Sequence, residues 1–413
     1  MKNLIWNTGR ILTLVLLVFL IQSGAASGKT AGPENLEHIV HANMAFALKL
    51  YKNVSKKEGN LFFSPFSISD ALAMTYAGAR GNTERQMEDV LGFFRPQERF
   101  HAGFCALIEK VLPKEPQKGY TLRLANAMWG QKGYRFLPIF INTIDRYYHG
   151  GLFRVDFVKK TEETRQKINL WVEKHTGNKI KNLIQKGDIN LLTRLVLTNA
   201  IYFKGLWASQ FSANNTKSAA FYLDDGRLVS TPMMFQSGQF PYFESRDRKL
   251  QVIELPYAGK AISMIVFLPS RKERLSRLEK SLNVNDVRAI IASLQARKVD
   301  VYLPRFRINS KFYLANVLSS MGMSDAFSKR ADLSGMTGNK ELQISKVIHQ
   351  AYVNVDEKGT EAAAATAVVI RLKAVIRNPV FRADHPFLFM MVHKETGSIL
   401  FMGRVKNPAG EKM

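Results

Sequence analysis

Val355-Asp356-Glu357-Lys358-Gly359-Thr360-Glu361-Ala362-Ala363-Ala364-Ala365-Thr366-Ala367-Val368-Val369-Ile370 carries no large polar side chain after Glu361, and Arg371-Leu372-Lys373-Ala374-Val375-Ile376-Arg377-Asn378-Pro379 follows it. Local propensity makes the alanine run a helix former. Read with period two, the same run is a strand. Thr360, Ala362, Ala364, Thr366, Val368 and Ile370 then point one way, and Glu361, Ala363, Ala365, Ala367 and Val369 the other. Side chains this small slip between existing strands without a pre-made pocket. The segment permits two states, a loop and an inserted strand, and propensity alone does not choose between them.

Upstream, Leu36, Ile39, Val40, Met44, Ala47 and Leu48 recur at three and four, which predicts an amphipathic helix from about Pro33 to Asn53. Ser64-Pro65-Phe66-Ser67 is a helix start with proline in the first turn. Further helices are predicted at 67–79, 82–91, 98–112, 161–174, 176–185, Leu275–Lys280 and Val284–Leu294. Strands are predicted at Thr193–Phe203, Gln251–Glu254, Ile262–Leu268, Val299–Leu303, Val347–Val355 and Phe387–Val392. No Pro/Gly/Ser linker divides the chain and no repeat is found. Helices first and strands later, interleaved, predict an α+β fold in one large unit.

The 413 residues are 46% hydrophobic and 23% charged, the composition of a globular protein, with a formal net charge of +25 that favours polyanions. A single cysteine, Cys105, makes no internal disulfide and builds no zinc or iron–sulfur site; on its apolar stretch it reads as a buried small hydrophobe. Lys2 and Arg10, the apolar run Ile11–Ile21 and the small residues Ser23–Ser27 describe a secretory signal peptide over 1–27, too short to span a bilayer. A secreted, extracellular, soluble protein is therefore expected. Export makes the sequons at Asn53 and Asn214 candidate glycosylation sites.

Searches for catalysis find nothing. There is no Gly-x-Ser-x-Gly elbow, and His38 and His41, preceded by Glu37, do not stand in the order of a zinc protease helix. Gly28-Lys29-Thr30 lacks the upstream glycine of a phosphate loop. The chain is expected to be no enzyme and to hold no metal or resident cofactor.

Glu357-Lys358-Gly359-Thr360-Glu361-Ala362-Ala363-Ala364-Ala365-Thr366 resembles the hinge of an inhibitory serpin, and Phe381-Arg382-Ala383-Asp384-His385-Pro386-Phe387-Leu388-Phe389 the signature that follows the reactive loop. Asn60–Ser69, Thr198–Trp207 and Phe401–Pro408 are similar to three further family segments, in the correct order. The resemblance implies one serpin domain over 28–413, with eight or nine helices around three β-sheets and an exposed reactive loop at about 357–380. It implies a monomer trapped in a metastable state, a suicide-substrate inhibitor whose loop is cut and then inserts into the central sheet. Fourteen steps from Gly359 to Lys373 would span roughly 46 Å as strand.

The family's hinge spacing places the scissile bond at Lys373–Ala374, which implies a trypsin-like serine protease as covalent partner. Arg371 and Arg377 are rival basic sites, and Leu372 suits a chymotrypsin-like pocket. The resemblance also places Ser64, Ser67, Asn199 and His349 in the shutter, where the central sheet parts, and Trp207 at the breach, where the loop first enters. Some serpins bind heparin-like glycosaminoglycan. Candidates here are Arg271, Lys272, Arg274, Arg277, Lys280, Arg297 and Lys298, with Lys110, Lys114 and Lys118 as a second group. Nucleic acid and membrane are not expected as partners. The alternative to an inhibitor is a non-inhibitory serpin, a carrier or chaperone-like binding protein. Bulky, charged or proline residues would suit that alternative where this chain has Thr360 and Ala362–Ala365.

Overall fold

A computed structural model describes residues 33–112, 119–148, 151–271, 275–360 and 378–410. Its helices are α1 (Pro33–Val54), α2 (Pro65–Tyr76), α3 (Gly81–Leu91), α4 (Gln97–Val111), α5 (Pro138–Tyr147), α6 (Thr161–His175), α7 (Leu275–Ser281), α8 (Val284–Ala292), α9 (Leu314–Ser320) and α10 (Ser334–Thr337). Its strands are β1 (Leu61–Phe63), β2 (Tyr120–Gln131), β3 (Gly151–Val155), β4 (Leu195–Leu206), β5 (Lys217–Tyr222), β6 (Leu228–Ser245), β7 (Leu250–Pro256), β8 (Ile262–Pro269), β9 (Gln295–Pro304), β10 (Phe306–Tyr313), β11 (Lys346–Asp356), β12 (Gly359–Thr360), β13 (Val380–Arg382), β14 (Phe387–His393) and β15 (Ile399–Val405). Among the described residues no helix is long and apolar enough to cross a membrane.

The strands form two hydrogen-bonded networks. One has six strands in the order β10-β11-β12-β4-β2-β3, and the other nine, β1-β15-β14-β8-β7-β6-β9-β13 with β5 on β6. Three sheets are expected from the resemblance, and β6 accounts for the difference. Its first residues pair with β5, its middle with β9 and its last four with β7, so one long strand joins two smaller sheets. The α+β class stands, with the three shortest helices, α7, α9 and α10, raising the helix number above nine among the described residues.

The six-stranded sheet carries the site, and its central strand β4 is buried on both faces along most of its length. Along β4 the side chains alternate: Val196 and Ala200 join a small core with Ile168 and Val172 of α6, while Leu197 and Ile201 face the main core. Burial on both sides makes β4 read as a continuous apolar run. Helix α2 starts beneath this sheet as its sequence dictates: the Ser64 side chain accepts from Ser67 N–H, and Pro65 occupies the first turn, where no amide donor is needed.

Two local expectations are corrected. Residues 176–185 form no helix, because α6 ends at Thr176, whose hydroxyl donates to Val172 O, and Gly177, Asn178 and Asn182 then take left-handed backbone angles. Cys105 is half-buried on α4 rather than buried, because its helical position lies between the core-facing Phe104 and the exposed flank.

Candidate functional site

The neighbours β4 and β11 lie parallel and in register from Lys346↔Val196 to Tyr352↔Tyr202. Beyond Tyr352 the pair forks. A hairpin turning at Glu357-Lys358 sends β12 back between them, so that Thr360 pairs with both Val355 and Gly205, and Gly359 with both Asp356 and Leu206. The reactive loop is expected to be exposed from about 357, and this is corrected: Glu357, Gly359 and Thr360 are buried, the last two as strand. Smallness is the reason. A Cβ on Gly359, at φ +151, would lie 1.9 Å from Gly205 O, so only glycine fits between the strands there.

Short bonds hold this hairpin. Asp356 Oδ1 accepts from Lys358 N and Gly359 N at 3.0 and 3.3 Å. Trp207 Nε1 donates to Asp356 O at 2.9 Å, Trp207 N to Lys358 O and Phe211 N to Glu357 O. The Trp207 ring stacks on Tyr257 at 4.6 Å, and Tyr257 Oη shares a 2.8 Å hydrogen bond with Thr360 Oγ1. Arg305 Nε donates to both carboxylate oxygens of Glu357, at 2.8 and 2.9 Å, and Thr216 Oγ1 donates to the same group. Burial alone would raise the pKa of Glu357, but hydrogen bonds from Arg305 and Thr216 outweigh it and the net shift is downward.

Below the fork, the sheet register itself assembles the shutter. Phe312, His349, Asn199 and Asn126 are successive cross-strand partners on β10, β11, β4 and β2, one row over the start of α2. Ser64 N–H donates to His349 Nε2 at 3.1 Å. That nitrogen is therefore the acceptor, the ring proton sits on Nδ1, and Nδ1–H donates to Asn199 Oδ1. Asn199 Nδ2 donates to Ser67 Oγ at 2.6 Å and to Asn126 Oδ1, and Ser67 Oγ donates to Asn126 Oδ1 at 3.0 Å. Ser64 Oγ donates to Leu400 O at 2.6 Å. Burial pulls the pKa of His349 down to about 3, so the network is uncharged at neutral pH. It bonds β11 to β4 side chain to side chain.

All four expected shutter residues and Trp207 are thus brought together with their strands. Sequence reading missed Asn126, Tyr257, Arg305 and Thr216, whose chemistry comes only from distant pairing. It also missed Asp70, which did carry a signal, as the one acidic residue of the buried helix α2. Glu361, Ala362–Ala365, Thr366, Arg371, Leu372, Lys373, Ala374 and Arg377 lie outside the described residues, as do Lys114, Lys118, Lys272 and Arg274. Arg271 is bound to Asp384 and stacked on Tyr222 at 4.0 Å; Arg277, Lys280, Arg297 and Lys298 are exposed. Lys110 pairs with Glu395. Among the described residues no cluster of three His, Cys, Asp or Glu is placed to hold a metal ion.

A family model for serpins, described as serine protease inhibitors, matches residues 41–408. The chain belongs to the serpin family. This serpin is 41% identical over 381 residues to the leukocyte elastase inhibitor of Bos taurus, covering 90% of its own length and 100% of the relative. It is 40% identical over 374 residues to an uncharacterized serpin-like protein of Thermococcus kodakarensis, covering 90% and 86%. Among solved structures it resembles uncleaved ovalbumin (TM-score 0.81, 32% identity, 90% of this chain and 100% of that one) and human thyroxine-binding globulin (0.82, 32%, 91% and 99%). Its kin thus include proteins named as elastase inhibitors and a globulin named for binding thyroxine.

These relatives also correct the expectation of a secreted, extracellular protein. Nine-tenths of this serpin matches the leukocyte elastase inhibitors of Bos taurus, Equus caballus and Rattus norvegicus over their whole length, and this kinship points away from secretion. The expected leader, 1–27, lies outside the described residues. Glycosylation loses its rationale with export. Asn53 Nδ2 is in any case turned onto Lys49 O at 2.9 Å within α1, whereas Asn214 is exposed on a single helical turn.

Proposed function

We propose that this serpin is a suicide-substrate inhibitor of a trypsin-like serine protease, cleaved at Lys373–Ala374. The observation that carries the reading is the fork: β11 and β4 have already admitted Gly359 and Thr360, and below them only a short parallel seam and an uncharged side-chain network hold the strands together. A loop severed downstream extends β12 into that seam residue by residue. Its small side chains, Ala362 to Ala365 and Thr366, bring no charge into the sheet.

The protease serine attacks the Lys373 carbonyl, the Ala374 amine leaves, and an ester joins enzyme to inhibitor. Each new ladder bond contributes only about 1 kcal/mol net, but roughly a dozen formed together suffice to drag and distort the attached enzyme before water hydrolyses the ester. Specificity for a carboxylate-bearing pocket rests on the Lys373 ammonium, and this departs from the elastase for which the relatives are named. The exposed cations Arg297 and Lys298 on β9 and Lys280 on α7 support a glycosaminoglycan contact as part of the same proposal, tested by the salt needed to elute the protein from a heparin column.

Incubation with trypsin is expected to give an SDS-stable complex and a released peptide beginning at Ala374, read by mass spectrometry. Lys373→Ala is expected to slow complex formation with trypsin by roughly a hundredfold or more. A stable complex with elastase alone, or a released peptide with another first residue, would overturn the assignment.

A further inference from the structure

Beneath the seam one acid stands without a charge partner among the described residues. Asp70 lies on α2 one turn beyond Ser67 and is 4% exposed. Its Oδ2 accepts from Asn126 Nδ2, while the equally buried Oδ1 meets no donor. Among the described residues the surrounding elements supply no cation, and burial and the Asn126 hydrogen bond are what act on this carboxyl. Tyr148, just past the end of α5, interacts electrostatically with Asp70 and also with Cys105 of α4, Tyr147 of α5 and Tyr76 of α2. Its hydroxyl is bonded to Nδ1 of His101 on α4, at 2.5 Å. Burial, helped by the charge of Arg80, lowers the pKa of His101 to about 3, so this imidazole is neutral, as is His349 on β11. Arg80 itself is committed to the carbonyls of Ala77 and Ala79.

Asp70 also ends a relay. Reading outward from β11, His349 Nδ1 donates to Asn199 Oδ1, Asn199 Nδ2 to Asn126 Oδ1, and Asn126 Nδ2 to Asp70 Oδ2. Three hydrogen bonds therefore connect the carboxyl to the far side of the seam. A neutral carboxyl keeps its place in this relay without burying a charge. An ionised one, dry and unpaired, is strongly disfavoured unless water reaches it.

We propose that Asp70 is the charge sensor of the seam between β4 and β11: neutral, it tolerates the dry closed seam, and ionised, although it still accepts from Asn126, it favours the parting of the strands, which admits water to the carboxylate. Burial raises its pKa to about 7, which puts the change near neutrality, and the sign follows: opening becomes easier as pH rises. This holds whether or not the protein inhibits a protease.

The test uses the full chain without protease. Hydrogen exchange of peptides from β4 and β11, corrected for intrinsic rates, is followed by mass spectrometry from pH 6 to pH 8. In the wild type the opening population is expected to rise about tenfold, the change in ionised fraction of a group titrating near 7. Asp70→Asn and Asp70→Ser are expected to remove that slope, and His349→Gln to keep it with an offset. In the wild type itself, an infrared band of a buried protonated carboxyl is expected to vanish over the same range. A wild-type slope retained in Asp70→Asn, a slope lost only in His349→Gln, or the absence of the carboxyl band would each overturn the proposal.

Discussion

The breach and the shutter hold the same two strands by different chemistry. At the breach the fastening is an aromatic stack, bonds to the hairpin backbone, and one ion pair whose Arg305 side chain is 45% exposed. At the shutter Ser64, Ser67, Asn126, Asn199 and His349 are all buried, and none of these five is charged at neutral pH. Desolvation explains the division. An ion pair survives where water still reaches one partner, but in a dry seam a charge must be fully compensated or absent. The neutral network is directional, since the tautomer of His349 is fixed at both nitrogens, so its bonds fail together rather than one by one. A fork guarded by a loose upper clasp and a cooperative lower lock can admit two residues and stop.

The largest expected effect breaks the upper clasp. Thr360→Arg puts an unpaired cation where Thr360 is fully buried against Tyr257, at a cost of roughly 3–5 kcal/mol. It should expel β12 and, under the proposed function, turn inhibition of trypsin into simple cleavage; an unchanged yield of SDS-stable complex with trypsin would contradict the role given to the fork. A smaller effect probes the lower lock. His349→Leu leaves the Ser64 amide and Asn199 Oδ1 without partners, a loss of about 2–3 kcal/mol that should appear in the unfolding rate in denaturant.

The pH dependence of the lock has a definite sign. The folded pKa of His349 lies below its unfolded value, so its contribution is present above about pH 6.5 and lost as pH falls toward 3. The His349→Leu variant should lose less stability than wild type on acidification, although His101, shifted the same way, keeps part of the slope. The smallest effect separates the two regions. Glu357→Gln weakens a partly exposed pair worth about 1 kcal/mol, and should speed amide exchange at Thr360 while leaving that at His349 unchanged. Equal acceleration at both positions would show that breach and shutter are one unit.

Some of this was legible in the chain. Periodicity found α1, α2, α3, α4, α6, α7, α8 and most long strands, because burial of a face imposes its own spacing. The helix cap at Ser64-Pro65 was equally plain. The 18-residue β6 was not foreseen, because a strand that changes partner along its length has no single buried face to advertise. Residues 176–185 looked helical until the left-handed turn at Gly177-Asn178 set their course.

By itself the sequence determined that the stretch after Gly359 is made of side chains small enough to lie in a sheet or out of it, since size and charge are properties of residues and need no neighbours. Only the tertiary structure decided where Gly359 and Thr360 stand, which nitrogen of His349 carries the proton, and that among the described residues Asp70 has no cation beside it. Each of those depends on strands and helices brought together from positions scores of residues apart. The free energy of a buried polar group is fixed by its partners, and sequence distance says nothing of who they are.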